Sequence, residues 1–142
     1  MALDSLEVLD VQNSTLEIIE GILYEDAKPG MFLELRSDGT WKKNTQVATP
    51  IIKAVLLNNP ALGETITATR LAGERVRIGI VQSGQLMRVL LKDGQTASVG
   101  TKLRLVSGGQ VTAAGTDSII VQSMAAGAPS GSDGLLLVRV IG

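Results

Sequence analysis

Any chemistry in this chain has to come from carboxylates, amines and hydroxyls. The sequence contains no Cys and no His. That removes the thiolate nucleophile, the usual general base near neutral pH and the two most versatile metal ligands. A carboxylate-only hydrolase or an oxygen-ligand metal site would need acidic residues grouped at coordinating spacing. After Asp26 they stand as scattered singles, and no stretch matches an EF-hand loop, a P-loop or a dinucleotide fingerprint. The neighbours Glu25 and Asp26 could be proposed as an acid/base dyad. They directly precede Lys28-Pro29-Gly30, however, and read as part of a charged turn. The expectation is a protein with no catalytic residues, no cofactor and no metal, working through its surfaces.

The charge distribution says where such surfaces would lie. Residues 1–26 hold Asp4, Glu7, Asp10, Glu17, Glu20, Glu25 and Asp26 with no Lys or Arg, a formal −7. The rest of the chain holds all 13 basic residues against the other seven of 14 acidic ones, a formal +6. The two parts attract one another, within a subunit or between subunits. Leu3, Leu6, Val8, Leu9 and Val11 add apolar anchors to the acidic part. The expected organisation is an acidic N-terminal arm over 1–15 and a β domain over 16–142. The arm folds over its own domain or reaches a neighbouring chain. Its five anchors, with Leu56, Leu57 and Leu62, are the candidate partner-contact residues.

Other partner classes fit poorly. Aromatic residues make up 2%, namely Tyr24, Phe32 and Trp41, too few for a base-stacking platform, and the net charge of −1 suits no phosphate backbone. The opening MALDSLEVLD lacks the basic region of a signal peptide, and no apolar run approaches the roughly 20 residues of a membrane span. No nucleic acid and no membrane are expected, and synthesis in the cytoplasm is.

From Ala27 onward the pattern is strands and turns. Met31, Leu33 and Leu35 alternate with Phe32, Glu34 and Arg36, and Asp38-Gly39 predicts a tight hairpin that returns through Trp41. Ala54–Leu57 is a short apolar run closed by Asn58-Asn59-Pro60. Val76, Ile78 and Ile80 alternate with Arg75, Arg77 and Gly79, the mark of a strand wet on one side. Leu86–Leu91 is apolar on both faces and reads as a central strand. Leu103 and Leu105 lead into a Ser107-Gly108-Gly109 hairpin, and Ile119–Val121 and Leu135–Ile141 complete the set. Leu16–Tyr24 also fits a helical face, but Gly21 and the β-branched residues favour strand. The fold class is therefore all-β, a small barrel or sandwich of eight to ten short strands. Val81–Leu86 and Val106–Val111 look alike, but six residues are too few to mark a repeat.

The stretch from Arg75 to Leu105 resembles the core of bacteriophage capsid decoration (cement) proteins. The matching residues are Gly73-Glu74-Arg75-Val76 with Ile78, then Gly94-Gln95 with Val99-Gly100 and Leu103, then Gly108-Gly109. Lys28-Pro29-Gly30-Met31, Ser37-Asp38-Gly39 and the Leu136–Val140 strand extend the similarity over most of 22–142. The resemblance implies a homotrimer on the outer surface of the phage head, bridging neighbouring copies of the major capsid protein. The same hairpin is similar to biotinyl and lipoyl carrier domains, which place a modified Lys at a hairpin tip. Here the tip reads Ser107-Gly108-Gly109-Gln110. A receptor- or carbohydrate-binding module of a phage tail is the other alternative. It would need an exposed aromatic, and Trp41 is more simply a core residue of its hairpin.

Overall fold

The structure, a computed structural model, describes residue 8 and residues 17–46, 52–59, 62–113 and 118–141. These form ten strands: β1 (Glu17–Ile22), β2 (Phe32–Leu35), β3 (Trp41–Lys43), β4 (Lys53–Leu56), β5 (Arg75–Val81), β6 (Leu86–Leu91), β7 (Lys102–Leu105), β8 (Val111–Ala113), β9 (Ile119–Ser123) and β10 (Gly134–Val140). The all-β expectation holds, and the ambiguous 16–24 segment contains a strand.

The strands divide into two halves with one plan. The first five form a sheet in the order β1-β5-β4-β2-β3, and the last five form a closed barrel in the order β6-β10-β9-β7-β8. Element for element the two orders are the same. The barrel closes through a parallel pairing of Leu91 with Val111. The first half has its counterpart just beyond β1, a parallel bridge of Leu23 with Trp41.

The registers agree as well. Leu33 pairs with Lys43, and Leu103 pairs with Ala113. Ile19 pairs with Ile78, and Met87 pairs with Val138. Phe32 pairs with Val55, and Lys102 pairs with Gln122. The loop bonds follow suit. Gly30 N–H donates to Leu56 O at 2.9 Å and Gly100 N–H to Ser123 O at 2.8 Å. Leu57 N–H donates to Arg77 O at 3.0 Å and Met124 N–H to Leu137 O at 2.9 Å. Tyr24 N–H donates to Trp41 O at 2.7 Å and Lys92 N–H to Val111 O at 2.9 Å. A backbone trace thus recurs from residue 17 in residues 86–140.

Alternation along each strand sets the core. Leu23, Ala27, Leu33, Trp41, Ala54, Leu56, Val76 and Ile78 fill the interior of the first half. Met87, Val89, Leu91, Ala97, Leu103, Leu105, Val111, Val121, Leu136, Val138 and Val140 fill the second. The opposite face of the first half is apolar too. Phe32, Val55, Leu57 and Val81 are buried there, in one cluster with the second half's core. Their counterparts in the second half are Lys102, Gln122, Met124 and Ile141, all partly or largely exposed.

The halves are joined by the turn 82–85 and by close backbone packing. Phe32 N–H donates to Gly109 O at 2.9 Å, and Gly108 N–H donates to Asn44 O at 2.8 Å. A Cβ on Gly109 would lie 2.7 Å from Phe32 O, so glycine is required there. A Cβ on Gly30 would lie 3.3 Å from Arg88 O. Val8 closes the seam. It is fully buried, donates its N–H to Asn58 Oδ1 at 3.1 Å and accepts at its carbonyl from Arg88 N–H at 2.6 Å.

Candidate interaction surface

The predicted contact residues separate sharply. Leu62 is 74% exposed. Val8, Leu56 and Leu57 are between 0% and 4% exposed, and this corrects their assignment as partner contacts. Leu56 points into the first half's interior. Leu57 lies over Gly79, where a Cβ would sit 3.2 Å from a Leu57 methyl, and Val8 fills the seam. The Ala54–Leu57 run therefore satisfies its apolar side chains within its own chain. Leu3, Leu6, Leu9 and Val11 lie outside the described residues, as does the arm apart from Val8.

Leu62 stands on a lip built by polar residues. Asn59 O accepts from Leu62 N–H at 3.0 Å, Glu64 Oε1 accepts from Asn59 N–H at 3.0 Å, and Asn58 Nδ2 donates to Glu64 O. Arg70 ties the lip down by ion pairs to Glu64 at 2.6 Å and Glu74 at 3.2 Å. Glu74 also accepts from Leu71 N–H; that bond first, and Arg70 with it, hold its carboxyl below the usual range. Between this lip and strands β1 and β5 runs a groove of about 540 Å³, lined by Ile18, Glu20, Leu62, Glu64, Arg75 and Arg77. Ile18 is 45% exposed beside it.

A second patch lies at the β2–β3 hairpin end, where Leu35 is 59% and Tyr24 52% exposed. The Arg36 guanidinium carbon lies 3.5 Å from the Tyr24 ring centroid. Asp38 accepts from the Thr40 hydroxyl and N–H and pairs with Arg36 at 2.6 Å. The Thr40 hydroxyl first, then its N–H and Arg36, draw the Asp38 carboxyl down in pKa. Burial raises the pKa of Glu34, but hydrogen bonds from Thr45 and the nearby Lys42 outweigh it, leaving that carboxyl lowered. Sequence reading missed this patch because Leu35 continues the alternation of the buried Met31 and Leu33. Val99, 71% exposed, sits on the turn before β7.

Glu25 accepts from Lys43 N–H and Asp26 from Ala72 N–H, so the pair ties the segment after β1 to β3 and to the loop before β5. Trp41 is 8% exposed and belongs to its hairpin's core. Among the described residues no three Asp or Glu converge as a metal cage. A smaller cavity of about 260 Å³ lies at the seam, lined by Lys28, Ile66, Leu90 and Asp133 among others.

The chain is similar in fold to the N base of head fiber gp8.5 in bacteriophage phi29. The TM-score is 0.59 at 10% identity, over 90% of this chain and 95% of that one. No protein-family model and no curated protein matches. The likeness spans both halves of this chain.

Proposed function

We propose that this chain is a structural component of a phage head, a decoration protein that binds the outside of the capsid. In this reading it acts without catalysis and bridges neighbouring copies of the major capsid protein as a homotrimer. The observation that carries it is the fold similarity to a head fiber base across nearly the whole of both chains. The turn-and-strand resemblance to decoration proteins points the same way. The exposed surfaces suit the role. Leu62, Ile18, Leu35, Tyr24 and Val99 are presented singly or in small patches on a polar ground. Each contact is then modest, and attachment comes from several at once through effective concentration.

The test is co-sedimentation with assembled capsids. The protein is expected to pellet with mature shells at a fixed ratio to the major capsid protein and to leave under mild chaotrope. Material that stays in the supernatant at all ratios would sink the reading. Leu62→Asp is expected to weaken attachment while leaving the fold intact, because the side chain is exposed.

A further inference from the structure

The two halves meet through unlike surfaces. The first half contributes its turn before β2, with Gly30 against Arg88 O and Val89 Cα, and the start of β2 at Phe32. The second contributes the tip of its β7–β8 hairpin, where Gly109 packs on Phe32, and the flank of β6. Because the halves share one trace, each surface occurs twice in the chain, and the intramolecular contact uses one copy of each. The two unused copies are bare. At the first half's hairpin, a Cβ on Gly39 would meet nothing within 4 Å, whereas its counterpart Gly109 is packed at 2.7 Å. Leu35 is 59% exposed, whereas its counterpart Leu105 is 1% exposed. On the second half, a Cβ on Gly100 would meet nothing within 4 Å, whereas Gly30 is packed at 3.3 Å. Beside it Val99 is 71% exposed.

We infer that the unused pair is an interface between copies of this chain: the β2–β3 hairpin end of one molecule docks on the turn before β7 of the next. What covers such a hairpin end within the chain is another five-stranded half offering such a turn, and a second copy supplies that partner. Each bare surface carries an exposed aliphatic, Leu35 on one and Val99 on the other. Glu20 stands at the place of Arg88 and Lys102 at that of Phe32, so each surface adds one side chain of opposite charge to the other's. The contact is head-to-tail, which closes into a ring when the rotation between molecules permits. It deepens the proposed function by naming the self-contact of the homotrimer. Capsid binding is read separately by co-sedimentation, so the two can fail independently.

Head-to-tail geometry makes a demanding prediction for mixtures. Light scattering on the full chain at micromolar concentration and above is expected to give a multiple of 14.9 kDa. Leu35→Asp and Val99→Asp each destroy one surface and keep the other, so each alone is expected to associate at least about tenfold more weakly. Mixed in equal amounts they regain one intact interface and are expected to give a species of twice the chain mass and nothing larger. Both positions are exposed, so thermal melting confirms that the variants are folded. A wild-type chain that stays monomeric overturns the inference. So does a Val99→Asp protein that assembles like wild type, which would mean a symmetric contact through Leu35 alone. So does a mixture that stays monomeric.

Discussion

The same trace is filled differently in the two halves. In the second, Val89 and Val111 occupy equivalent interior positions on β6 and β8, two medium side chains. In the first those positions hold Gly21 and Trp41, the smallest and the largest. A Cβ on Gly21 would lie 2.6 Å from Trp41 Cδ1 and 2.9 Å from Ile78 Cδ1, so the indole occupies the space a side chain on β1 would need. The outer faces differ more. Phe32, Val55, Leu57 and Val81 are buried in the seam, while Lys102, Gln122, Met124 and Ile141 meet solvent to varying degrees. What the two halves share is a path of backbone hydrogen bonds, and many sets of side chains satisfy it.

The largest effects should separate residues that occupy equivalent places. Leu105→Ala, at a site 1% exposed, is expected to cost about 2–5 kcal/mol in urea melts. Leu35→Ala, its 59% exposed counterpart, should stay within about 0.5 kcal/mol when both proteins are melted dilute enough to be monomeric. Equal costs would mean that the halves are not energetically distinct at this position. Next comes the exchange of interior sizes. Gly21→Val alone should cost about 1–3 kcal/mol by overpacking against Trp41. Combined with Trp41→Val it should recreate the second half's arrangement and cost about 1 kcal/mol less than the sum of the single changes. Strict additivity would show that the two sites do not share the space.

Val8 tests the seam. Val8→Ala removes two methyl groups from a fully buried site and should cost about 1–2 kcal/mol, with a similar loss for Asn58→Ala, whose amide oxygen accepts from Val8 N–H. If both variants melt like wild type, the N-terminal segment is not held there. The smallest effect concerns pH. Asp38 and Glu34 have lowered pKa values in the first half's hairpin, and Gly108 and Arg104 stand at their places in the second. A lowered folded pKa gives stability that is present above the ordinary carboxylate range, about 4, and lost as pH falls through the lowered values. Amide exchange, corrected for intrinsic rates, should therefore loosen at Arg36–Thr40 on acidification before it does at Val106–Gln110.

Most of the strands were legible in the sequence because alternation and turn residues are local signals. β6 lies between two partners, as read, whereas β5 is wet on one side only over Arg75–Ile78: Gly79 and Val81 are buried in the seam and Ile80 is half-buried. The duplication was not legible from the pair of segments that look most alike. Val106–Val111 is the β7–β8 hairpin, but Val81–Leu86 is the link between halves. The equivalent residues are Ala27, Gly30, Leu33, Leu35, Ser37 and Gly39 with Ala97, Gly100, Leu103, Leu105, Ser107 and Gly109, at constant spacing. That signal fades elsewhere because the loop 57–74 is longer than its counterpart 124–133 and shifts the frame. Of the predicted contact residues that are described, only Leu62 is exposed. Apolar character alone does not reveal whether a side chain faces a partner or its own core, and Val8, Leu56 and Leu57 went inward.

Each half also ends where it begins. Glu17 stands opposite Ile80 in the first, and Val140 N–H donates to Gln85 O at 2.9 Å in the second. A stretch of coding sequence whose product has coincident ends can be copied in tandem and remain foldable, since the new copy leaves from where the old one finished. Four residues, 82–85, then suffice as the join, and no long crossing segment has to be invented. The same path therefore carries two different outer walls: one is largely wet, and the other is apolar and seats the second half.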